Sequence, residues 1–253
     1  MATNSEKYDV DGAFVGLMRN NDVLKEVKSL IDKRFSKSPE YYSNLSRDEF
    51  SNYAVNVQKE VNSLDVQRRF VTSEKDLLFD LLKTEKICFQ SICFLRAVRP
   101  EHLVKNSEAP DFHRETFYSD DPETTRHMLN IWIPIKNVTD NNTLKYVPKS
   151  HKIPDEDLNI SSNNDLQSVE KFSSAHKLGF FWDQKKLEGG CEVSEAIPAS
   201  FSGELGEYLA FSSMTIHGGA RNLNDDVRFV VGFGLIAEEK INSNKDYFAS
   251  GDK

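Results

Sequence analysis

The sequence predicts a helical N-terminal layer packed on a β-sandwich or β-barrel. Apolar residues recur at helical spacing through the first third of the chain, whereas short apolar or alternating runs rich in Ile, Val and Phe follow. A chain of 253 residues with 38 % hydrophobic residues is long enough for one sizeable core. We therefore expect a single domain with a helical layer over residues 1–85, a β core over 86–240 and a polar tail over 241–253.

Three helices account for the first layer. The first has one apolar face, and the second begins at a capping box, Ser46-Arg-Asp-Glu49, in which the Ser hydroxyl and the Glu carboxylate each bond the other's backbone N–H. A third is expected to start near Thr72 or Ser73. In chain order, the buried faces of these helices are Val23, Val27, Leu30 and Ile31; Phe50, Ala54, Val57 and Val61; and Leu77, Leu78, Leu81 and Leu82.

The β core is predicted from apolar runs of strand length. A polar stretch, Pro154–Ser174, interrupts them and is expected to be a long surface excursion, which in compact domains is often a functional lid. The predicted strands are Ile87–Val98, Met128–Ile135, Leu144–Val147, Glu207–Phe211 and Arg228–Ile236.

Charge and cysteine content limit the function classes. The 32 basic residues against 40 acidic ones give a net charge of −8, which argues against general binding to nucleic acid or to an anionic membrane. No apolar run has the length of a membrane span, and the N-terminus lacks the pattern of a secretory signal. The three cysteines Cys88, Cys93 and Cys191 form no C-x-x-C motif. We expect a cytoplasmic protein that acts on a small molecule, and the sequence indicates no oligomeric state.

Two histidines have neighbours that suggest a metal site. In an extended segment 112–117, His113 and Glu115 project from the same face and can fill two adjacent positions of an octahedral ion. His217 precedes Gly218-Gly219, where the backbone can approach a ligand closely. Two His and one carboxylate with open positions are typical of non-haem Fe(II) oxygenases. The His-x-Glu triplet taken alone is more often a surface pair.

Arg228 opens the apolar run Phe229–Phe233, and a charge at that position has two interpretations. Either Arg228 forms a salt bridge with Asp225 or Asp226 at the rim of the fold, or it is a buried guanidinium that binds a carboxylate. A dicarboxylate could then chelate iron at one end and bind Arg228 at the other. The nearby Gly232-Phe-Gly234 imitates a dinucleotide fingerprint, but no helix and second strand follow it.

The order and spacing of several segments between about Ile87 and Ala237 resemble the phytanoyl-CoA dioxygenase family of Fe(II)/2-oxoglutarate-dependent oxygenases. The segments are Phe112-His-Arg-Glu115, Leu129-Asn-Ile-Trp-Ile-Pro134, Asn142-Thr-Leu-Lys-Tyr-Val-Pro-Lys-Ser-His151, Leu209-Ala-Phe-Ser-Ser-Met-Thr-Ile-His-Gly-Gly219 and Arg228.

The resemblance implies a double-stranded β-helix (a jelly-roll, cupin-like core) over 86–240. It further implies Fe(II), 2-oxoglutarate and O2 as cofactors and co-substrates. By position, the metal ligands and catalytic residues would be His113, Glu115 and His217, and the co-substrate residues would be Arg228, Trp132 and Arg96.

Two positions depart from the family pattern. Glu115 stands where the family more often has Asp, which adds a methylene between the backbone and the metal. Gly219 stands where a Ser often bonds the co-substrate, so that hydrogen bond must come from elsewhere or is missing.

The resemblance implies hydroxylation with release of succinate and CO2, and we expect the substrate to be a small polar metabolite or biosynthetic intermediate. A non-catalytic cupin-like sensor and a metal-dependent hydrolase or isomerase stay open as alternatives. A CoA-linked substrate would need a local anion site, for which the net charge is unfavourable. Candidates for that site are Arg114, Arg126, Lys145, Lys149 and Lys152, and Phe180–Trp182 either caps the substrate or packs in the core.

Overall fold

The computed structural model describes residues 2–105, 108, 112–117, 119–161, 186–187, 191–219, 221–243 and 245–251. Its α-helices are α1 Asn4–Asp11, α2 Asp22–Arg34, α3 Pro39–Ser43, α4 Arg47–Asn62, α5 Val66–Ser73, α6 Lys75–Leu82, α7 Pro122–Thr125 and α8 Cys191–Ser194. Its strands are β1 Ala13–Leu17, β2 Ile87–Gln90, β3 Phe94–Val98, β4 Leu129–Lys136, β5 Leu144–Tyr146, β6 Ile160–Ser161, β7 Lys186–Leu187, β8 Ile197–Pro198, β9 Glu207–Ser212, β10 His217–Gly219, β11 Arg228–Ala237 and β12 Phe248–Ser250.

Two of the three predicted helices form as expected. Helix α2 buries Val23, Val27 and Ile31, and α4 begins at Ser46 with both hydrogen bonds of the capping box present. The third prediction is wrong at its start, because two helices, α5 and α6, meet at Glu74. The buried Glu74 carboxylate accepts from the backbone N–H of Arg19 at 2.8 Å, which fixes the chain at the break.

Among the described residues, no helix is long and apolar enough to cross a membrane.

A seven-stranded antiparallel sheet forms the centre of the fold. Its strand order is β1-β9-β4-β11-β2-β12, and β3 also pairs with β11. Side chains alternate along β4, so that Leu129, Ile131 and Ile133 pack in the main core with residues of α2, α4 and α5. Trp132, on the opposite face, packs in a second cluster with Leu209, Phe211 and Val230. One face of the large sheet therefore carries the helical layer, and the other lines an interior.

A smaller antiparallel sheet with the order β10-β5-β8 contributes His217. The backbone of His113 pairs with that of His217 in an isolated antiparallel bridge. His113 N–H donates to the His217 carbonyl at 2.8 Å, and His217 N–H donates back at 2.9 Å. This bridge brings two segments about a hundred residues apart in sequence into contact. A mixed fold of helices and antiparallel sheet is thus confirmed.

Four details differ from the sequence expectation. A strand, β1, lies within the segment assigned to the helical layer, and another, β12, lies within the segment called a polar tail. Ile87–Val98 is two strands, because the side chain of Asn62 bonds both the N–H and the carbonyl of Cys93 and interrupts the run. Residues 112–117 are not extended throughout, since Glu115–Phe117 is a 3-10 turn.

Candidate metal centre

His113, Glu115 and His217 form one cluster of possible metal ligands. One donor atom from each lies within 4.8 Å of the other two. His113 and His217 are 1 % and 3 % exposed, and the Glu115 side chain is 30 % exposed. The cluster thus has two buried imidazoles and a carboxylate with access to solvent or ligand. Glu115 joins the cluster although a 3-10 turn begins there, because its backbone N–H donates to the Ser213 carbonyl at 3.1 Å.

The hydrogen bonds of His217 direct one lone pair at Glu115. Nδ1 of His217 lies 2.9 Å from the carbonyl oxygen of Thr215, which can only accept, so Nδ1 carries the proton in the neutral ring. Nε2 then presents a lone pair, and it lies 3.2 Å from Oε1 of Glu115. Two electron-rich atoms at this distance need a cation, either a proton or a metal ion. The donor set and its orientation therefore fit a divalent metal.

The electrostatics of Glu115 favour its ionised form. Burial alone raises the pKa of this carboxyl, but with protonated imidazoles the hydrogen bond from His217 and the positive charges of His217, His113 and Arg96 outweigh it and bring the pKa to about 2. The side chain is consequently an anion at neutral pH, which is the form that binds metal.

Two arginines enter the same interior from the large sheet. Arg228 is 3 % exposed, and its Nη1 donates to the carbonyl of Asn142. Arg96 lies opposite Val230 in the pairing of β3 with β11. Burial, with the neighbouring charge of Arg96, lowers the pKa of Arg228 to about 10, and burial also lowers that of Arg96. Two guanidinium groups that repel each other in a partly dry site are stabilised by a carboxylate placed between them.

Trp132 provides an aromatic wall of the interior. It is 9 % exposed and stacks on Phe201 with ring centroids 5.7 Å apart. Phe211, from the neighbouring strand, contacts the His217 ring at a centroid distance of 4.5 Å. The inward side of the large sheet thus carries Trp132, Phe211, Arg96 and Arg228 beside the cluster from the small sheet.

The anion site considered around Arg114 is wrong for that residue. Arg114 is fully buried, and its guanidinium binds Asp155 and the carbonyls of Ser150 and Ile153, so it is not available to a phosphate. Phe180–Trp182 lies outside the described residues. Sequence reasoning missed Phe211, and it missed Asn130, a polar residue at an inward position of an apolar strand. No sequence signal marks Asn130, because a polar residue between Leu129 and Ile131 fits the alternation of a half-buried strand.

Comparisons with solved structures show similarity of fold at low identity. EvdO2 from Micromonospora carbonacea var. aurantiaca has a TM-score of 0.59 and 14 % identity, covering 92 % of this chain and 90 % of its own. AviO1 from Streptomyces viridochromogenes Tue57 has a TM-score of 0.56 and 14 % identity, covering 96 % and 100 %. The α-ketoglutarate-dependent epimerase SnoN from nogalamycin biosynthesis has a TM-score of 0.52 and 12 % identity, covering 92 % and 79 %.

No curated protein matches the sequence. The family described as phytanoyl-CoA dioxygenase (PhyH) matches residues 13–230, which is most of the chain and includes every residue of the cluster and both arginines. The chain belongs to the phytanoyl-CoA dioxygenase (PhyH) family.

Proposed function

We propose that this protein is a non-haem Fe(II)- and 2-oxoglutarate-dependent dioxygenase that hydroxylates a small polar metabolite or biosynthetic intermediate and releases succinate and CO2. The observation that carries the proposal is the meeting of His113, Glu115 and His217 within 4.8 Å in a chain of this family. EvdO2 has been solved with 2-oxoglutarate, and SnoN with Fe3+ and α-ketoglutarate, which supports the same cofactors here.

Each residue has a proposed role in the site. His113, Glu115 and His217 would hold the iron, since two imidazoles and one carboxylate are the ligand set of non-haem Fe(II) oxygenases. Arg228 binds the far carboxylate of 2-oxoglutarate, Arg96 adds a second positive charge, and Trp132 packs along the co-substrate. The iron supplies the activation of O2 and the oxidative decarboxylation of the 2-oxo acid. The protein fixes the ligands, excludes water and places the substrate.

We further infer that the β core is a double-stranded β-helix. The chain passes from the large sheet (β4) to the small sheet (β5 and β8), back to the large sheet (β9), to the small sheet (β10) and again to the large sheet (β11). The His113–His217 bridge adds the His113 segment to the small sheet. This alternation of strands between two antiparallel sheets supports the proposal.

We also propose a cytoplasmic location and a single domain with the boundaries given from the sequence. The support for the location is the buried thiol of Cys93, which forms no disulfide, as expected of a protein kept in a reducing compartment.

The test is uncoupled turnover. Protein loaded anaerobically with Fe(II) is mixed with 2-oxoglutarate, ascorbate and air-saturated buffer, and succinate is quantified. We expect succinate above the protein-free control. A protein that binds Fe(II) and 2-oxoglutarate tightly but forms no succinate, with or without a panel of small polar metabolites, would favour the non-catalytic sensor and contradict the enzyme assignment.

A further inference from the structure

The strand that carries Trp132 also carries a buried amide facing the metal cluster. Asn130 is 9 % exposed, and within the described part of the chain its Nδ2 has no hydrogen-bond partner. An unsatisfied buried donor costs about 1–3 kcal/mol, so such a group in a native protein needs an explanation. A bound ligand with an acceptor at this position would supply one.

The register of the large sheet shows which way Asn130 points. Directly opposed residues in antiparallel strands project from the same face, and Asn130 lies opposite Phe211 on β9 and Gly234 on β11. The ring of Phe211 contacts the ring of His217. Asn130 also lies two residues before Trp132, on the same side of β4. Its side chain is therefore on the inward face, beside the residue that touches the metal cluster.

The surface of the large sheet opposite Trp132, two residues along from Asn130, has open space above it. Trp132 lies opposite Gly232, the next inward residue of β11. Among the described residues, only the carbonyl oxygen of Ile131, at 3.3 Å, lies within 4 Å of the point where a Cβ on Gly232 would stand. Gly232 thus leaves room for a ligand beside Trp132, whereas the space over Gly234, opposite Asn130, is filled by the side chains of Met128 and Gln90.

We propose that Asn130 is a co-substrate-positioning residue whose amide donates a hydrogen bond to the metal-bound, 2-oxo acid end of 2-oxoglutarate. This inference rests on the proposed function. Arg228 opens β11, whereas Asn130 lies opposite Gly234, six residues further along that strand and level with Phe211 and His217. Arg228 and Asn130 therefore lie at different levels along the inward face, with the open position over Gly232 between them. A carboxylate is the acceptor that a neutral amide donor serves without burying a further charge.

The experiment measures binding by calorimetry, with anaerobic Fe(II)-loaded protein and two probes. The probe 2-oxoglutarate has both carboxylates, and 2-oxopentanoate keeps only the 2-oxo acid end. In Asn130→Leu, we expect the affinity for both probes to fall about tenfold or more, the loss typical of a hydrogen bond to a charged acceptor. In Arg228→Leu, only 2-oxoglutarate should bind more weakly. Met128→Leu, which changes a neighbouring inward position of the same β-rich interior, is the control and should bind both probes as the parent protein does.

The outcomes are distinguishable from a failure of the proposed function. If the parent protein binds neither 2-oxo acid, the function and the role of Asn130 fall together. If it binds both and Asn130→Leu binds within twofold of it, the role of Asn130 alone is overturned. Asn130→Ala, which adds no branched side chain, is measured in parallel with thermal melting and Fe(II) affinity. A selective loss of 2-oxo acid affinity at unchanged melting temperature and Fe(II) affinity supports the proposal, whereas proportional loss of all three contradicts it.

Discussion

The guanidinium of Arg114 binds the carboxylate of Asp155 from a fully buried position between the cluster residues His113 and Glu115. Its Nη2 also donates to the carbonyls of Ser150 and Ile153, each at 2.6 Å. The segment that carries two of the three cluster residues is therefore fastened to the turn over 150–155. Burial lowers the pKa of Arg114, while the bond and charge of Asp155 act against that change.

Replacing Arg114 by Met should destabilise the protein and disturb the cluster. The substitution removes two hydrogen bonds that a charged guanidinium donates, to the carbonyls of Ser150 and Ile153, each worth about 1.5–3 kcal/mol, so the free energy of unfolding should fall by at least about 2 kcal/mol. Urea unfolding measures this, and Fe(II) affinity should fall as well. Asp155→Asn is the matched comparison, because it removes the counter-charge but keeps an acceptor oxygen for Nη1 and both Nη2 bonds, so its cost should be smaller than that of Arg114→Met. Equal effects of the two substitutions would refute the fastening role.

His217→Ala should abolish succinate formation and weaken Fe(II) binding. The imidazole is one of three proposed ligands, and its Nδ1 contact with Thr215 holds Nε2 toward Glu115. Fe(II) binding is measured by equilibrium dialysis and turnover by succinate release. His102→Ala is the control, since the His102 side chain is 54 % exposed and lies near Asp225, outside the cluster. Full succinate production by His217→Ala would refute the ligand assignment.

Arg228→Leu should weaken 2-oxoglutarate binding without weakening the fold. Loss of one partner of a buried charge pair costs about 2–5 kcal/mol of binding, so the dissociation constant should rise about 30-fold or more. The free energy of unfolding should change little, because relief from the repulsion of Arg96 and from burial of the cation opposes the loss of the hydrogen bond to the Asn142 carbonyl. Arg221→Leu changes an exposed arginine bound to Glu101 and should leave the affinity unchanged. A purely structural role for Arg228 predicts the reverse: lower stability and unchanged affinity.

Cys93 should resist alkylation in the native protein. Its thiol is fully buried, and burial raises its pKa from 9.0 to about 12, against the effect of a hydrogen bond from the Gly232 backbone. Maleimide labelling at pH 8.5 followed by peptide mass spectrometry should find Cys93 unmodified until denaturant is added. Rapid labelling without denaturant would contradict this burial.

The raised pKa of the Cys93 thiol also predicts that the folded protein loses stability at high pH. Between about 9 and 12 the unfolded thiol is ionised while the folded thiol keeps its proton, so the native state binds more protons and its stability falls as pH rises. In Cys93→Ala this contribution disappears, and the decline of the free energy of unfolding over that range should be shallower. An unchanged slope would show that Cys93 does not contribute.

The elements that were predicted well are those whose signal is local. The capping box at Ser46 and the apolar stripe of α4 lie within one helix, and both are present. The break at Glu74 depends on the backbone of Arg19, fifty-five residues away, and no periodicity contains it. Strand β1 was missed for the same reason, because its hydrogen-bonding partner is β9, near the other end of the chain.

The cluster was predictable because residue type and order carry most of its chemistry. His113, Glu115 and His217 meet as expected, although the local backbone at Glu115 is a turn and not a strand. Arg114 was assigned wrongly to an anion site and Asn130 was given no role, since burial and strand register cannot be read from residue type. An arginine between two ligands suggests a free cation, but the fold encloses it.

Both edges of the large sheet are formed by segments near the two ends of the described chain, β1 at one edge and β12 at the other. Removing either segment would leave β9 or β2 with a row of unpaired backbone donors and acceptors. Truncation at either end should therefore cause self-association by edge-to-edge pairing before it affects the metal centre. The two segments that look peripheral in the sequence therefore cover the backbone edges of β9 and β2.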